Sequence, residues 1–267
     1  MEIIVLEWPT EVKKKQENKI QSEDYAVWND EHGYYIVADG VSRDVYERKG
    51  ESIAREAAKR ACETMAVRLS TYADGTIQEA FKFANKAVKE LNEEQGLWGK
   101  GNNNYLDRDL AGACLACLVK KNRKFYYGYI GDCRVAHLSS DEKLDIVPDQ
   151  VLEAQIEFPK QGAIVERVIT IRRERRNNPS TPHKTYGVLT GEDAALYPKY
   201  LKFGSYECRP GDVVLVCSDG VGSFVENDKV FSQLLLTGTR EKIWEYVADP
   251  TSPYHNADEK TLILCRV

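Results

Sequence analysis

The stretch Tyr34-Tyr35-Ile36-Val37-Ala38-Asp39-Gly40 runs five apolar or aromatic residues straight into an Asp-Gly pair. That pattern predicts a buried strand that carries one carboxylate to its end and then turns sharply on glycine. A near copy stands downstream, Val213-Val214-Leu215-Val216-Cys217-Ser218-Asp219-Gly220. Asp-Gly is a good turn dipeptide in its own right. Two copies, with further acids at other strand ends, suggest instead that carboxylates converge at one edge of a sheet core.

Working outward, Ser22-Glu23-Asp24-Tyr25-Ala26-Val27-Trp28 is a strand with two acids at its start, and Asn29 to Gly33 is a hairpin turn by composition. The strands on either side of that turn pair antiparallel, so Glu23 and Asp24 fall beside Asp39. Ile53, Ala57, Ala61, Met65 and Leu69 recur at helical spacing, as do Ile77, Ala80, Phe81, Ala84, Val88 and Leu91. Both stripes predict core-facing helices. Gly96 to Asp109 is a loop, and strands follow over 111–119 and 124–130. The second of these leads into Gly131-Asp132-Cys133-Arg134, a third junction of strand and acid. The pattern weakens from Asp149 to Tyr206, where Arg172-Arg173-Glu174-Arg175-Arg176 reads as a solvated basic segment or a contact for an anionic substrate. Helices are predicted over 226–236 and 240–247. A closing strand, 261–267, follows Asp258. The order predicts an α+β fold: a four-layer α-β-β-α sandwich, two mainly antiparallel sheets flanked by helix pairs, in a single domain over 1–267.

Composition narrows the function classes. The chain is 42% hydrophobic and 30% charged, with a net charge of −5, as in an ordinary globular protein. An acidic balance argues against nucleic acid as the main partner. No apolar run reaches the roughly 20 residues that span a bilayer, and the acidic N-terminus does not read as a signal peptide. Seven scattered cysteines read as small hydrophobes rather than a disulfide framework. Cys114 and Cys117 have CxxC spacing but no second pair to complete a zinc site. A cytoplasmic location is expected.

Six acids stand at strand ends or entrances: Glu23, Asp24, Asp39, Asp132, Asp219 and Asp258. Gathered at neutral pH they would repel unless a cation neutralised them. An all-oxygen set selects hard ions such as Mg²⁺ or Mn²⁺ over zinc. Two such ions about 3.5–4 Å apart form a site for hydrolysing phosphate esters.

In these residues the chain resembles the metal-dependent (type 2C, PPM) protein serine/threonine phosphatases. SEDYAVW, IVADG, GYIGDCRV and VVLVCSDGVGSF occur in that family's order, closed by DEKTLIL, from about residue 19 to the C-terminus. The resemblance implies that Asp39 bridges two metals with the Gly40 carbonyl reaching one of them. Glu23 would hold the second metal with Asp24 beside it, and Asp219 and Asp258 would hold the first. Asp132 would serve a third, weaker ion together with Asp219. Lys19 stands where the family has a phosphate-binding arginine, keeping the charge without the bidentate fork. The implied reaction is direct attack on phosphorus by a hydroxide bridging the metals, with Lys19, Asp39 and Asp219 as the catalytic set. The implied substrate is a phosphorylated protein, in signalling opposite a Ser/Thr kinase, with the enzyme a monomer that binds neither nucleic acid nor membrane. The chain departs from the family at Val41-Ser42-Arg43, where two glycines are usual after one intervening residue, and at Glu259, where asparagine is usual. Two alternatives stay open: a catalytically weak binding or sensing module, motivated by Lys19, Ser42 and Arg43, and a phosphatase for a small phosphorylated metabolite, motivated by the arginines of the irregular segment from Asp149 to Tyr206. The four histidines, His32, His137, His183 and His255, carry no role that the sequence assigns.

Overall fold

The computed structural model describes residues 1–11, 16, 21–41, 52–71, 76–98, 110–154, 174–181 and 184–267. Their ten strands form two antiparallel sheets of five. In one, β1 (Glu2–Trp8) pairs with β10 (Lys260–Arg266), followed by β9 (Val213–Cys217), β6 (Arg134–Leu138) and β7 (Leu144–Ile146). The other has the order β2 (Tyr25–Asn29), β3 (Tyr34–Val41), β4 (Gly112–Lys121), β5 (Lys124–Ile130) and β8 (Lys202–Glu207).

Side-chain alternation along β3 explains the four layers. Tyr34, Ile36 and Ala38 face helices α1 (Ile53–Thr71) and α2 (Ile77–Glu94), packing with Ala57, Met65, Phe81 and Val88. Tyr35 and Val37 point the other way, into the space between the sheets, against a layer that includes Val135, Val216 and Ile263. Both faces are covered, so the strand reads as a continuous apolar run. The outer face of the first sheet is covered by α3 (Asp219–Asn227), α4 (Lys229–Thr237) and α5 (Arg240–Ala248), through Phe224, Phe231, Ile243 and Val247. The α-β-β-α sandwich is therefore as expected, with three short helices where a second pair was predicted.

Several local expectations are corrected. The helix predicted over 226–236 is two helices, because Asp228 accepts from the amides of Val230 and Phe231 and caps a new start. Asp219 therefore lies in the first turn of α3, not in a free turn. Two strands were not anticipated. β7 has only three residues, and β8 is an edge strand whose side chains are mostly exposed, so neither leaves an apolar signature. Arg176 is buried, at 3% exposure, and does not belong to a solvated segment; Arg172 and Arg173 lie outside the described residues. Cys114 faces the inter-sheet layer and Cys117 the helices, so the CxxC pair is split across β4 and all seven cysteines are free. Among the described residues no helix is long and apolar enough to cross a membrane.

The strand carrying Asp39 does not turn at Gly40. It continues to Val41, with Asp39 opposite Cys114, Gly40 opposite Ala113 and Val41 opposite Gly112. The glycine answers a different need, since a Cβ there would stand 2.2 Å from the Ala54 carbonyl oxygen in α1. Gly220 is constrained the same way, since a Cβ there would stand 2.1 Å from the Glu259 carbonyl oxygen. Each Asp-Gly pair thus sets a carboxylate beside a point where two backbone segments touch. Gly40→Ala is expected to lower the unfolding free energy by about 1–3 kcal/mol through a forced backbone shift. Urea denaturation checks it: the midpoint falls with an unchanged slope, whereas a wild-type midpoint would show that the contact has slack.

Candidate metal centre

The strand registers bring the predicted acids to one end of the sandwich. Tyr25 pairs with Ala38, so Asp24 falls next to Asp39, and the Gly40 amide donates to the Glu23 carbonyl at 3.2 Å. Cys217 at the end of β9 pairs both with Arg134, at the start of β6, and with Leu262, near the start of β10. Asp132, Asp219 and Asp258 therefore project from the same end of the opposite sheet. Asp39 has the parity of Tyr35 and Val37, so it continues the inter-sheet row to its rim.

Neighbouring groups fix several of these acids. Ser218 takes the N-cap position of α3 but makes no cap hydrogen bond with its side chain. Its hydroxyl instead donates to Asp24 Oδ2 at 2.7 Å and accepts from the Thr261 amide at 3.0 Å, tying the two sheets together. Ser52, just before α1, donates to Glu23 Oε1 at 2.6 Å. Asp132 follows Gly131, whose φ of +83° and contact with Cys114 exclude a side chain. Gln150 Oε1 accepts from the Gly131 amide at 3.3 Å and holds that turn. Lys260 is buried at 1% exposure, and its Nζ donates to the carbonyls of Asn256 at 2.6 Å and Asp258 at 3.1 Å, fixing the loop that carries Asp258.

The electrostatics are those of a like-charged cluster. Burial, followed by the charges of Asp219, Asp24, Asp132 and Asp258, pushes the Asp39 carboxyl well above its usual range. Asp219 is raised likewise, by burial and then by Asp132, Asp258, Asp24 and Asp149. Asp132 is pushed up to about 6, by burial first and Asp149 next. Among the described residues no lysine or arginine forms an ion pair with Asp39, Asp132 or Asp219. Asp132 Oδ1 is buried without a hydrogen-bond partner. A buried, unpartnered carboxylate oxygen is costly, and all-carboxylate donors in a strained like-charged group fit hard divalent cations. Glu23 and Asp24 are buried, Asp39, Asp132 and Asp219 half-buried, and Asp258 exposed.

Asp39, Asp219, Asp24, Asp132 and Asp258 are thus brought within mutual electrostatic reach. Glu23 lies at the same end with its carboxylate on Ser52. Lys19, Ser42 and Arg43 lie outside the described residues. The sequence reading missed Asp149, Ser218 and Ser52. Asp149 caps a short helical turn, Gln150–Glu153, accepting from the Val151 and Leu152 amides at 2.8 Å, and reaches the buried Arg134 guanidinium at 3.7 Å. A cap signal at Asp149 was available in the sequence; no pattern connected it to Asp132.

A family model described as protein phosphatase 2C matches residues 13–251. No curated protein sequence matches the chain. Among solved structures, the fold is similar to the catalytic domain of the serine/threonine protein phosphatase PstP in complex with two manganese ions, with a TM-score of 0.66, 16% identity, and 98% of this chain and 96% of that one covered. It is similar to PppA, a regulatory component of the type VI secretion system in Pseudomonas aeruginosa, with a TM-score of 0.64, 16% identity and coverage of 99% and 96%. It is also similar to the PPM Ser-Thr phosphatase MsPP from Mycobacterium smegmatis in complex with cacodylate, with a TM-score of 0.62, 15% identity and coverage of 100% and 98%.

The raised carboxyls have a consequence for stability. An acid whose folded pKa lies above its unfolded value keeps a proton in the folded state that the unfolded chain has already lost. Its stabilising contribution is complete below the unfolded value and is lost as pH rises through the folded one. For Asp132 that window runs from 3.8 to about 6. Metal-free Asp132→Asn is expected to be more stable than the parent above that window, with a flatter pH dependence of the urea midpoint inside it. Identical pH profiles for the two proteins would refute the shift.

Proposed function

The chain belongs to the protein phosphatase 2C family, and on that premise we propose that it is a metal-dependent phosphatase acting on phosphoserine and phosphothreonine in proteins. The observation that carries this reading is the aspartate cluster. Asp39 feels four other carboxylates, and Asp132 keeps a buried oxygen with no partner. Such an arrangement suits cations rather than a side-chain nucleophile, and the PstP structure was solved with two manganese ions.

In this proposal Asp39, the Gly40 carbonyl, Glu23, Asp24, Asp219 and Asp258 hold a pair of Mg²⁺ or Mn²⁺ ions, and Asp132 with Asp219 holds a third, weaker one. Bound there, the ions would make water nucleophilic near neutral pH and neutralise charge on the phosphoryl oxygens. Ser218 and Ser52 keep Asp24 and Glu23 in place, and Lys260 keeps the Asp258 loop in place. Lys19 binds the phosphoryl group as a point charge. A single domain over 1–267 works as a monomer in the cytoplasm, opposite a Ser/Thr kinase.

Hydrolysis of p-nitrophenyl phosphate and of a phosphothreonine peptide, with and without Mn²⁺ or Mg²⁺, tests the reading. Both substrates are expected to turn over only with metal. Asp39→Asn and Asp219→Asn are each expected to cost more than the roughly 10–100-fold that follows loss of an outer-shell partner. No turnover with metal would reject the enzyme in favour of a binding module, and turnover of the small ester alone would reassign the substrate to a small metabolite. Full activity in either variant would overturn the ligand assignment.

A further inference from the structure

A second group of ligating side chains stands at the opposite end of the sandwich, with His137 and Asp212 from the first sheet and Cys208 directly after β8 of the second. Asp212 immediately precedes β9 and Asp219 follows that strand, so the strand's length, about 3.3 Å per residue, separates this group from the acidic centre. Here an imidazole nitrogen of His137, the Cys208 thiol and an Asp212 carboxylate oxygen all lie within 4.8 Å of one another. We propose that His137, Cys208 and Asp212 form a distinct binding site for Zn²⁺ or a similar borderline transition-metal ion.

The donor chemistry separates this site from the acidic centre. Thiolate and imidazole favour zinc-like ions, whereas carboxylates alone favour magnesium and manganese. Zinc with bonds of about 2.0–2.3 Å in tetrahedral geometry sets its ligand atoms about 3.3–3.6 Å apart. His137 Nε2 and Asp212 Oδ2 are already 3.1 Å apart, and the longest separation, within 4.8 Å, would have to contract by at most roughly 1.5 Å.

The surroundings hold the donors in place. Asp212 Oδ1 accepts from the Ser140 amide at 2.9 Å, and Oδ2 from the Arg209 amide at 2.8 Å. The His137 ring stacks on Tyr206 with centroids 5.2 Å apart. The Cys208 amide donates to the Arg123 carbonyl at 3.0 Å. Ligands fixed by outer hydrogen bonds and packing are what a transition-metal site needs. Cys208 and Asp212 are buried, and His137 keeps 17% of its side chain exposed.

A His137–Asp212 pair alone would explain two of the three groups as structural, and would leave the adjacent thiol without a part. Burial and the Asp212 charge push that thiol up to about 11, so without metal it stays neutral. Binding therefore releases the thiol proton to solvent.

Co²⁺ titrated into the full chain, with Mg²⁺ in large excess to occupy the acidic centre, provides the test. One equivalent is expected to produce a thiolate-to-cobalt charge-transfer absorption that Zn²⁺ then bleaches. Cys208→Ala is expected to remove the band, and His137→Gln to weaken Co²⁺ binding by at least about tenfold. Both variants should keep the wild-type circular dichroism spectrum and the Mg²⁺-dependent hydrolysis of p-nitrophenyl phosphate. If either variant fails to fold, the other carries the comparison. A missing band in the wild-type protein overturns the site, as does a band that persists in Cys208→Ala or binding unchanged in His137→Gln.

Discussion

Mutual repulsion among clustered aspartates is the constraint on which this end of the molecule depends. Two like charges 4 Å apart in protein surroundings cost about 4 kcal/mol, and Asp39 alone faces four other carboxylates. A chain that gathers such groups must hold them by something other than their own attraction. Here the restraint is mostly backbone. β3 runs through Asp39 and is pinned by β4 as far as Val41, and Gly40 and Gly220 let α1 and the Glu259 segment press directly on the chain beside each acid. Ser218 adds a hydroxyl that joins Asp24, beside one sheet, to Thr261, in the other. The layers of the sandwich and the position of the carboxylates are therefore one design, since the inter-sheet row that packs Tyr35 and Val37 also aims Asp39.

Much of this was legible in the sequence, for physical reasons. A strand covered on both faces, like β3 or β9, must be apolar throughout, so the runs ending near Asp39 and Asp219 stood out. The two helical stripes were equally plain, because Ala57, Ala61, Phe81 and Val88 face a single sheet. Antiparallel pairing alone put Glu23 and Asp24 beside Asp39, while Asp132, Asp219 and Asp258, on the other sheet, were linked to them only by their repeated places at strand ends and by the family resemblance. What the Asp-Gly pairs do locally was misread. Composition favours a turn, yet tertiary contact makes both glycines close-approach points, one inside a strand and one inside a helix.

The missed elements share a different cause. β8 lies at an edge with most side chains in solvent, and β7 pairs over only three residues, so neither needs an apolar pattern to form. The break between α3 and α4 is made by Asp228, which reads as an ordinary polar helix residue until its side chain is seen on two amides. His137, Cys208 and Asp212 were invisible as a group because two of them stand near each other in sequence while the third reaches them only through the pairing of β6 with β9.

The acids of the centre also differ in what holds them, and this orders their roles. Glu23 and Asp24 are buried with hydroxyl partners, and Asp39 is fixed within a sheet. Asp258 is exposed and sits on a loop anchored by Lys260, whose buried ammonium donates to two loop carbonyls. The ammonium is surrounded by acids, among them Asp258, Asp219 and Glu259, yet burial outweighs them and lowers its pKa. Lys260 therefore acts less as a counterion to the cluster than as a brace. It spends its protons on the backbone beside the most exposed member rather than on the carboxylates of the centre.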